Sequence, residues 1–176
     1  MQENSGSESR DIAGAEKRDL TRTRILDTPL ASAWRAWADP GYVTQWWGPD
    51  HFTSPSAEIN FHEGETSLVC MRASKEYGGQ DYFSTWTYTK IVPMERIEYI
   101  HKLSDENGHT LNPVSIGILA NFPQDQLHTV VFKVIDTNRT EATVTQYGWT
   151  PDRLMEMADM GLGQSLDKMA AMFSEP

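Results

Sequence analysis

The order of hydrophobic and polar positions predicts a sheet-rich domain with helices near both ends. Residues 1–18 are polar and without periodicity, so we expect them to form a flexible tail. Beyond them, β-branched and aromatic residues alternate with polar ones, which is typical of strands. The predicted strands span residues 21–26, 52–61, 66–74, 82–89, 96–103, 127–136 and 141–147.

Helical signals occur in two places. Thr28 as N-cap and Pro29 as first residue predict a short helix, and a second short one is predicted over 42–46. Thr150 as N-cap and Pro151 predict the start of a long final helix. One face of that helix carries the stripe Leu154, Ala158, Leu162, Ser165, Leu166, Met169 and Phe173, which should face the sheet.

This order of elements predicts an α+β fold. Two short helices follow the first strand, and a curved antiparallel sheet wraps around the long C-terminal helix. No helices separate the later strands, which excludes the alternating parallel α/β class. Residues 19–176 are expected to form a single domain.

Composition and charge narrow the possible partners. The chain has 176 residues with a net charge of -10, so we expect neither nucleic-acid binding nor docking on anionic membranes. The single Cys70 excludes an intrachain disulfide and, with no metal-ligand motif elsewhere, we expect no metal and no cofactor. No apolar run is long enough for membrane insertion and no secretory signal precedes the domain, so a cytoplasmic location is expected.

Six motifs in the chain occur together in the order that one known family shows. They are Arg24–Pro29, Ala33–Pro40, Gln45–Pro49, Ile91–Ile97, Ser104–Gly108 and Gly161–Met169. Together they resemble the AHSA1-like (activator of Hsp90 ATPase homologue 1-like) branch of the SRPBCC/START/Bet v 1-like superfamily. This chain departs from the family pattern at Gly64-Glu65, where a Gly-Gly pair is common, and at Leu162, where an aromatic residue is common.

The resemblance implies a helix-grip fold that encloses a cavity between the concave face of the sheet and the long helix. Members of the family bind hydrophobic or aromatic small molecules, and a few relatives are cyclases or ring-modifying enzymes. The Hsp90 name belongs to eukaryotic members with an additional domain, which we do not expect in this chain.

Aromatic, sulfur-containing and histidine side chains are the candidates for the cavity wall. Each has an alternative interpretation as a core residue, and the pattern leaves open which face of the 82–88 strand points inward. We expect His101 to lie on the opposite face of its strand from Tyr99. The candidates are Trp47, Trp86, Tyr88, Tyr99, His101, Met155 and Met160.

A long segment, residues 104–126, carries apolar residues that a fully solvated loop would not keep. They predict either a lid over the cavity or a homodimer contact. The residues concerned are Leu111, Ile116, Ile118 and Phe122.

These patterns favour non-catalytic binding of a hydrophobic or aromatic small molecule. No nucleophile elbow or phosphate-binding loop is present in the sequence, and no residue is assigned a catalytic role. Two alternatives remain open: a module that regulates a chaperone-type ATPase, and a small-ring cyclase or hydrolase-like enzyme.

Overall fold

The N-terminal boundary of the fold lies slightly earlier than the sequence predicts. The structure, a computed structural model, describes residues 16–174, so residues 1–15 of the expected tail lie outside the described residues. The first strand begins at Arg18, and the preceding Lys17 donates a hydrogen bond from Nζ to Thr150 Oγ1 at 2.8 Å. The last part of the predicted tail therefore belongs to the domain.

Residues 16–174 form eight strands and three α-helices, which confirms the predicted α+β class. All strand pairs are antiparallel, and the curved sheet has the order β1-β8-β7-β6-β5-β4-β2, with β3 also paired to β4. The elements are β1 Arg18–Leu26, α1 Leu30–Ala38, α2 Pro40–Trp46, β2 Phe52–Thr53, β3 Ala57–Glu58, β4 Thr66–Ala73, β5 Asp81–Val92, β6 Arg96–Ser104, β7 Gln126–Asp136, β8 Arg139–Trp149 and α3 Arg153–Met172.

The strand predicted over 52–61 is in fact two short strands. Pro55 lies between β2 and β3 and has no N–H to contribute to the ladder. Ser54 instead donates its hydroxyl to the carbonyl of Cys70 at 2.7 Å, which keeps this edge attached to β4. Burial raises the pKa of the Cys70 thiol, as expected for an apolar strand position.

Two predicted N-caps are wrong because both helices begin later in the chain than the sequence predicts. Helix α1 begins at Leu30 after Pro29, and Thr28 instead accepts a hydrogen bond on its carbonyl from Thr140 Oγ1 at 3.0 Å. Helix α3 is capped by Asp152, whose carboxylate accepts hydrogen bonds from two backbone N–H groups of the first turn. A carboxylate there also complements the helix dipole.

Tryptophan side chains from the two short helices form one end of the core. Trp37 and Trp46 pack with ring centroids 4.5 Å apart, and Trp46 Nε1 donates to the carbonyl of Ala36 at 2.7 Å. Trp86 and Tyr99 stack below them at 5.0 Å. This end of the fold is therefore filled by the chain's own side chains.

Helix α3 is attached to the sheet and to the loop before it by charged contacts. Arg22 and Arg24 on β1 form ion pairs with Asp159 and Asp167 at 2.6 and 2.8 Å. Lys168 donates from Nζ to three carbonyls of the α2–β2 connection, those of Gly48, Pro49 and Phe52, each at 2.9 Å. Among residues 16–174, no helix is long and apolar enough to span a bilayer.

Candidate functional site

A cavity of about 290 Å³ remains between the sheet and α3, next to the tryptophan-filled core. The helix contributes its predicted stripe, with Leu154, Ala158 and Leu162 facing the interior. Trp47 and Pro49 approach from the α2–β2 connection. The sequence pattern of α3 thus forms one apolar wall of an incompletely filled interior.

Aromatic side chains form much of the remaining apolar surface. Phe122 packs edge-on against Trp149 with ring centroids 5.6 Å apart, and both line the cavity. Ile118, from the same segment as Phe122, and Leu103, from β6, complete this part of the wall. A ligand here would contact rings and branched aliphatic groups on several sides.

The sheet side of the cavity carries polar residues on four adjacent strands, which we call the polar band. His101 on β6 lies opposite Gln126 on β7 in the strand register, and His128 lies opposite Gln146 on β8. Ser84 on β5 lies diagonally across from His101, because it pairs with Leu103. The polar band therefore consists of Ser84, His101, Gln126, His128 and Gln146.

Hydrogen bonds satisfy one part of the polar band and fix its tautomers. Gln126 donates from Nε2 to the carbonyl of Tyr147 at 3.0 Å, so its Oε1 accepts from His128 Nε2–H at 2.8 Å. His128 Nδ1 is left to accept from the Tyr99 hydroxyl at 3.2 Å. Burial holds the pKa of His128 well below its usual range, so its ring is neutral.

His101 differs from His128 in having no such partners. Its ring stacks on His128 in parallel, 5.0 Å away, and the residue is 6% exposed. Its buried Nδ1 has no hydrogen-bond partner among residues 16–174. Burial lowers the pKa of His101 to about 4, so the imidazole offers one donor and one acceptor at neutral pH.

The cavity wall contains no Asp, Glu, Lys or Arg side chain from residues 16–174. A larger groove of about 380 Å³ runs between β1 and the start of α3, but it is bordered by charged residues such as Arg18, Glu156 and Asp159. Enclosure by apolar groups with a few polar ones favours the smaller cavity as the binding site. Within the part of the chain that the structure describes, no group of three His, Cys, Asp or Glu could hold a metal ion.

Of the five predicted wall residues that lie outside α3, two line the cavity and three do not. Trp47 and His101 line it, whereas Trp86, Tyr88 and Tyr99 are buried in the packed core beyond it. Those three rings fill their end of the sheet against the short helices. Their cavity role is therefore corrected to a core role, although Tyr99 still reaches the polar band through His128.

The orientation of two strands follows from the same contacts. On β5, the face with Ser84 and Trp86 points inward, while Thr87 pairs its hydroxyl with Thr66 at 2.9 Å on the other face. The expectation that His101 and Tyr99 lie on opposite faces is wrong. Residues two apart on a strand share a face, and both side chains point inward.

The predicted methionines of α3 do not line the cavity. Met155 borders the charged groove beside β1, and Met160 is 58% exposed. The helical phase that places Leu154, Ala158 and Leu162 inward turns these two side chains away. Met157, which is not among the predicted wall residues, does line the cavity.

The long segment between β6 and β7 covers the cavity through part of its length. Ile118 and Phe122 line the cavity, whereas Leu111 and Ile116 do not. Gln124 fixes the base of the segment by accepting from the backbone N–H of Leu103 at 2.9 Å. The segment thus forms part of the cavity wall, and both the lid and the homodimer contact stay predictions.

Most of the polar band was missed from the sequence. Gln126, His128 and Gln146 are polar, and the alternation of polar and apolar residues along a strand assigns polar side chains to the solvent face. For Gln126 and His128, the sequence does carry one indication of an inward position. They are two residues apart at the start of a strand, and the next positions on the same face are apolar.

Comparisons with known proteins agree with this architecture. The family described as "Activator of Hsp90 ATPase homolog 1-like protein" matches residues 27–174. No curated protein matches the chain.

Solved structures extend the match to nearly the whole chain. Protein CV1439 from Chromobacterium violaceum is 22% identical with a TM-score of 0.71, covering 90% of this chain and 98% of its own. Protein Ms6760 from Mycobacterium smegmatis is 17% identical with a TM-score of 0.71, covering 92% and 94%. The AHSA1 protein from Silicibacter pomeroyi is 16% identical with a TM-score of 0.68, covering 88% and 96%. The resemblance and the helix-grip fold expected from the sequence are confirmed.

Proposed function

We propose that this chain, which belongs to the Activator of Hsp90 ATPase homolog 1-like family, binds a small apolar or aromatic molecule non-covalently between its sheet and α3. The observation that carries the proposal is the uncharged cavity itself. It combines an apolar wall from α3 and the 105–125 segment with the polar band on the sheet. Apolar area supplies affinity in such a site, and a few polar groups supply orientation.

The volume of the cavity limits the size of the ligand. An engineered apolar cavity of about 150 Å³ binds benzene. The 290 Å³ found here is roughly twice that volume, which suits a molecule with one or two fused rings. Ligands of that size bind with dissociation constants between about 1 mM and 1 μM, because each heavy atom contributes a limited free energy.

The contacts of the polar band favour binding over catalysis. His128 is engaged by Tyr99 and Gln126, and burial keeps both histidines weak bases by lowering their pKa. The single thiol, Cys70, is buried in β4 with a raised pKa and does not line the cavity. Binding without a covalent step is the chemistry that these groups support best.

A cavity-filling substitution tests the proposal. Ala158→Phe places a ring in the space below α3, whereas Ala171→Phe adds the same ring at an exposed position of the same helix. With 2-naphthol as the probe, we expect quenching of tryptophan fluorescence and a raised melting temperature for the wild type and for A171F. We expect at least about a tenfold weaker affinity for A158F.

Equal binding by A158F and A171F would contradict the proposed site. The alternative suggested by the family's description, regulation of a chaperone-type ATPase, predicts an altered ATPase rate that A158F leaves unchanged. An enzyme of the cyclase or hydrolase-like kind predicts that the probe or a related ring compound is converted to product, which mass spectrometry of the mixture would detect.

A further inference from the structure

We infer that the ligand is an uncharged aromatic molecule with one hydroxyl or N–H group, and that His101 holds this group. The inference deepens the proposed function and rests on it. It concerns which chemical class the cavity accepts, and it is argued from the charges, hydrogen bonds and rings of the wall.

The absence of charged side chains on the described cavity wall disfavours an ionised ligand. A carboxylate or ammonium group placed inside would lose its water without gaining a counter-ion. Neither histidine supplies a positive charge at neutral pH, because burial lowers the pKa of both rings. The favoured ligand is therefore neutral, despite the presence of polar groups in the wall.

The hydrogen bonds within the polar band leave His101 as the residue that can bind the polar group of a ligand. His128 and Gln126 use their ring nitrogens and amide in the series that links Tyr99 to the carbonyl of Tyr147. The Nδ1 atom of His101 has no hydrogen-bond partner among residues 16–174, and the residue is almost fully buried. A buried polar group without a partner is costly, so a ligand that supplies one gains affinity.

The position of His101 also suits a ligand that lies flat in the cavity. It stands on β6, between Ser84 on β5 and Gln126 on β7. A hydroxyl group can donate to one imidazole nitrogen or accept from it, so it fits either tautomer of His101. Ser84, which is diagonal to His101 in the register, lines the same cavity.

The rest of the wall favours an aromatic body for the ligand. Trp47, Phe122 and Trp149 contribute rings around the cavity, and α3 contributes aliphatic side chains. Aromatic pairs gain from offset and edge-to-face contacts beyond the area they bury. A flat ring system with its polar group toward the sheet would pack against the apolar wall and hydrogen-bond to the polar band.

Three probes of nearly the same shape test this inference by titration at neutral pH. These are 2-naphthol, naphthalene, which lacks the hydroxyl, and 2-naphthoate, which carries a charge. For the wild type we expect 2-naphthol to bind at least about tenfold more tightly than naphthalene, and 2-naphthoate to bind most weakly. In His101→Phe the preference for 2-naphthol over naphthalene should fall to within about threefold.

His62→Phe, a substitution at an exposed turn outside the cavity, is the matched control and should keep the wild-type order. Equal affinity of the wild type for 2-naphthol and naphthalene would overturn the inference while leaving the proposed function intact. Tightest binding by 2-naphthoate would also overturn it. Binding of none of the three would overturn the proposed function itself. If His101→Phe does not fold, the order of the three affinities in the wild type decides the chemical class of the ligand.

Discussion

Lowering the pH from 7 to 5 is expected to destabilise the protein through the buried histidines of the polar band. Burial lowers the pKa of His101 from 6.5 to about 4 in the folded state. The unfolded chain therefore takes up a proton in this pH range that the folded chain does not. Stability is fully present above the unfolded pKa and is lost as the pH falls toward the folded one.

The size of the effect follows from the two pKa values. Between them, each pH unit costs about 1.36 kcal/mol per group. From the unfolded pKa near 6.5 down to pH 5, His101 therefore removes about 2 kcal/mol of unfolding free energy. His128 acts in the same direction, because burial and the adjacent His101 both lower its pKa. A loss of this size is a large part of a typical domain's stability.

The aspartates whose pKa is lowered do not account for a loss of stability between pH 7 and pH 5. The pKa values of Asp81, Asp105 and Asp136 are lowered by hydrogen bonds, from the side chains of Arg72 and Arg139 and, for Asp105, from the backbone of His109. These groups therefore stay ionised at pH 5 in the folded protein and matter at lower pH.

Urea unfolding at pH 7, 6 and 5 measures the effect in the wild type, in His101→Phe and in the exposed control His62→Phe. Between pH 7 and 5 the wild type and H62F should each lose about 2 kcal/mol more stability than H101F. Parallel profiles for the wild type and H101F would refute the reasoning, since they would mean that His101 titrates in the folded protein as it does in the unfolded chain.

Two further substitutions test the attachment and shape of α3. Lys168→Met removes three hydrogen bonds to the α2–β2 connection and should lower the unfolding free energy by about 2 kcal/mol in a urea assay. The control Lys90→Met, at an exposed position, should leave the unfolding free energy nearly unchanged. An unchanged unfolding free energy in K168M would show that water replaces these bonds. Gly161→Ala should raise the unfolding free energy by up to about 1 kcal/mol in thermal unfolding, because alanine has a higher helix propensity than glycine. The added Cβ has room, since it would meet Pro49 at an ordinary 3.6 Å. A destabilised G161A would indicate that the helix and Pro49 must come closer than they do here.

The architecture was predictable because its signals are local and mutually consistent. The aromatic and β-branched run at 82–89 predicts a strand, and β5 extends over Asp81–Val92. The apolar stripe of the last helix predicts the face that lines the interior. The start of the last helix was predicted wrongly because Thr150 and Asp152 are both good N-caps, and the structure uses the charged Asp152.

The cavity wall was less predictable because several side chains fit either interpretation. Trp86 and Trp47 are both tryptophans on buried segments, and tertiary packing alone places one in the core and the other beside the cavity. Gln126 and His128 are polar residues at inward positions, which binary patterning assigns to solvent. Conflicts of this kind between pattern and burial are expected at functional sites.

A crystal structure of the protein with saturating 2-naphthol tests the central claim most directly. The account predicts the naphthalene ring between Trp47, Phe122 and Leu162, with its hydroxyl oxygen about 3 Å from a ring nitrogen of His101. A cavity filled by its own side chains, or a probe bound in the charged groove beside β1, would contradict it.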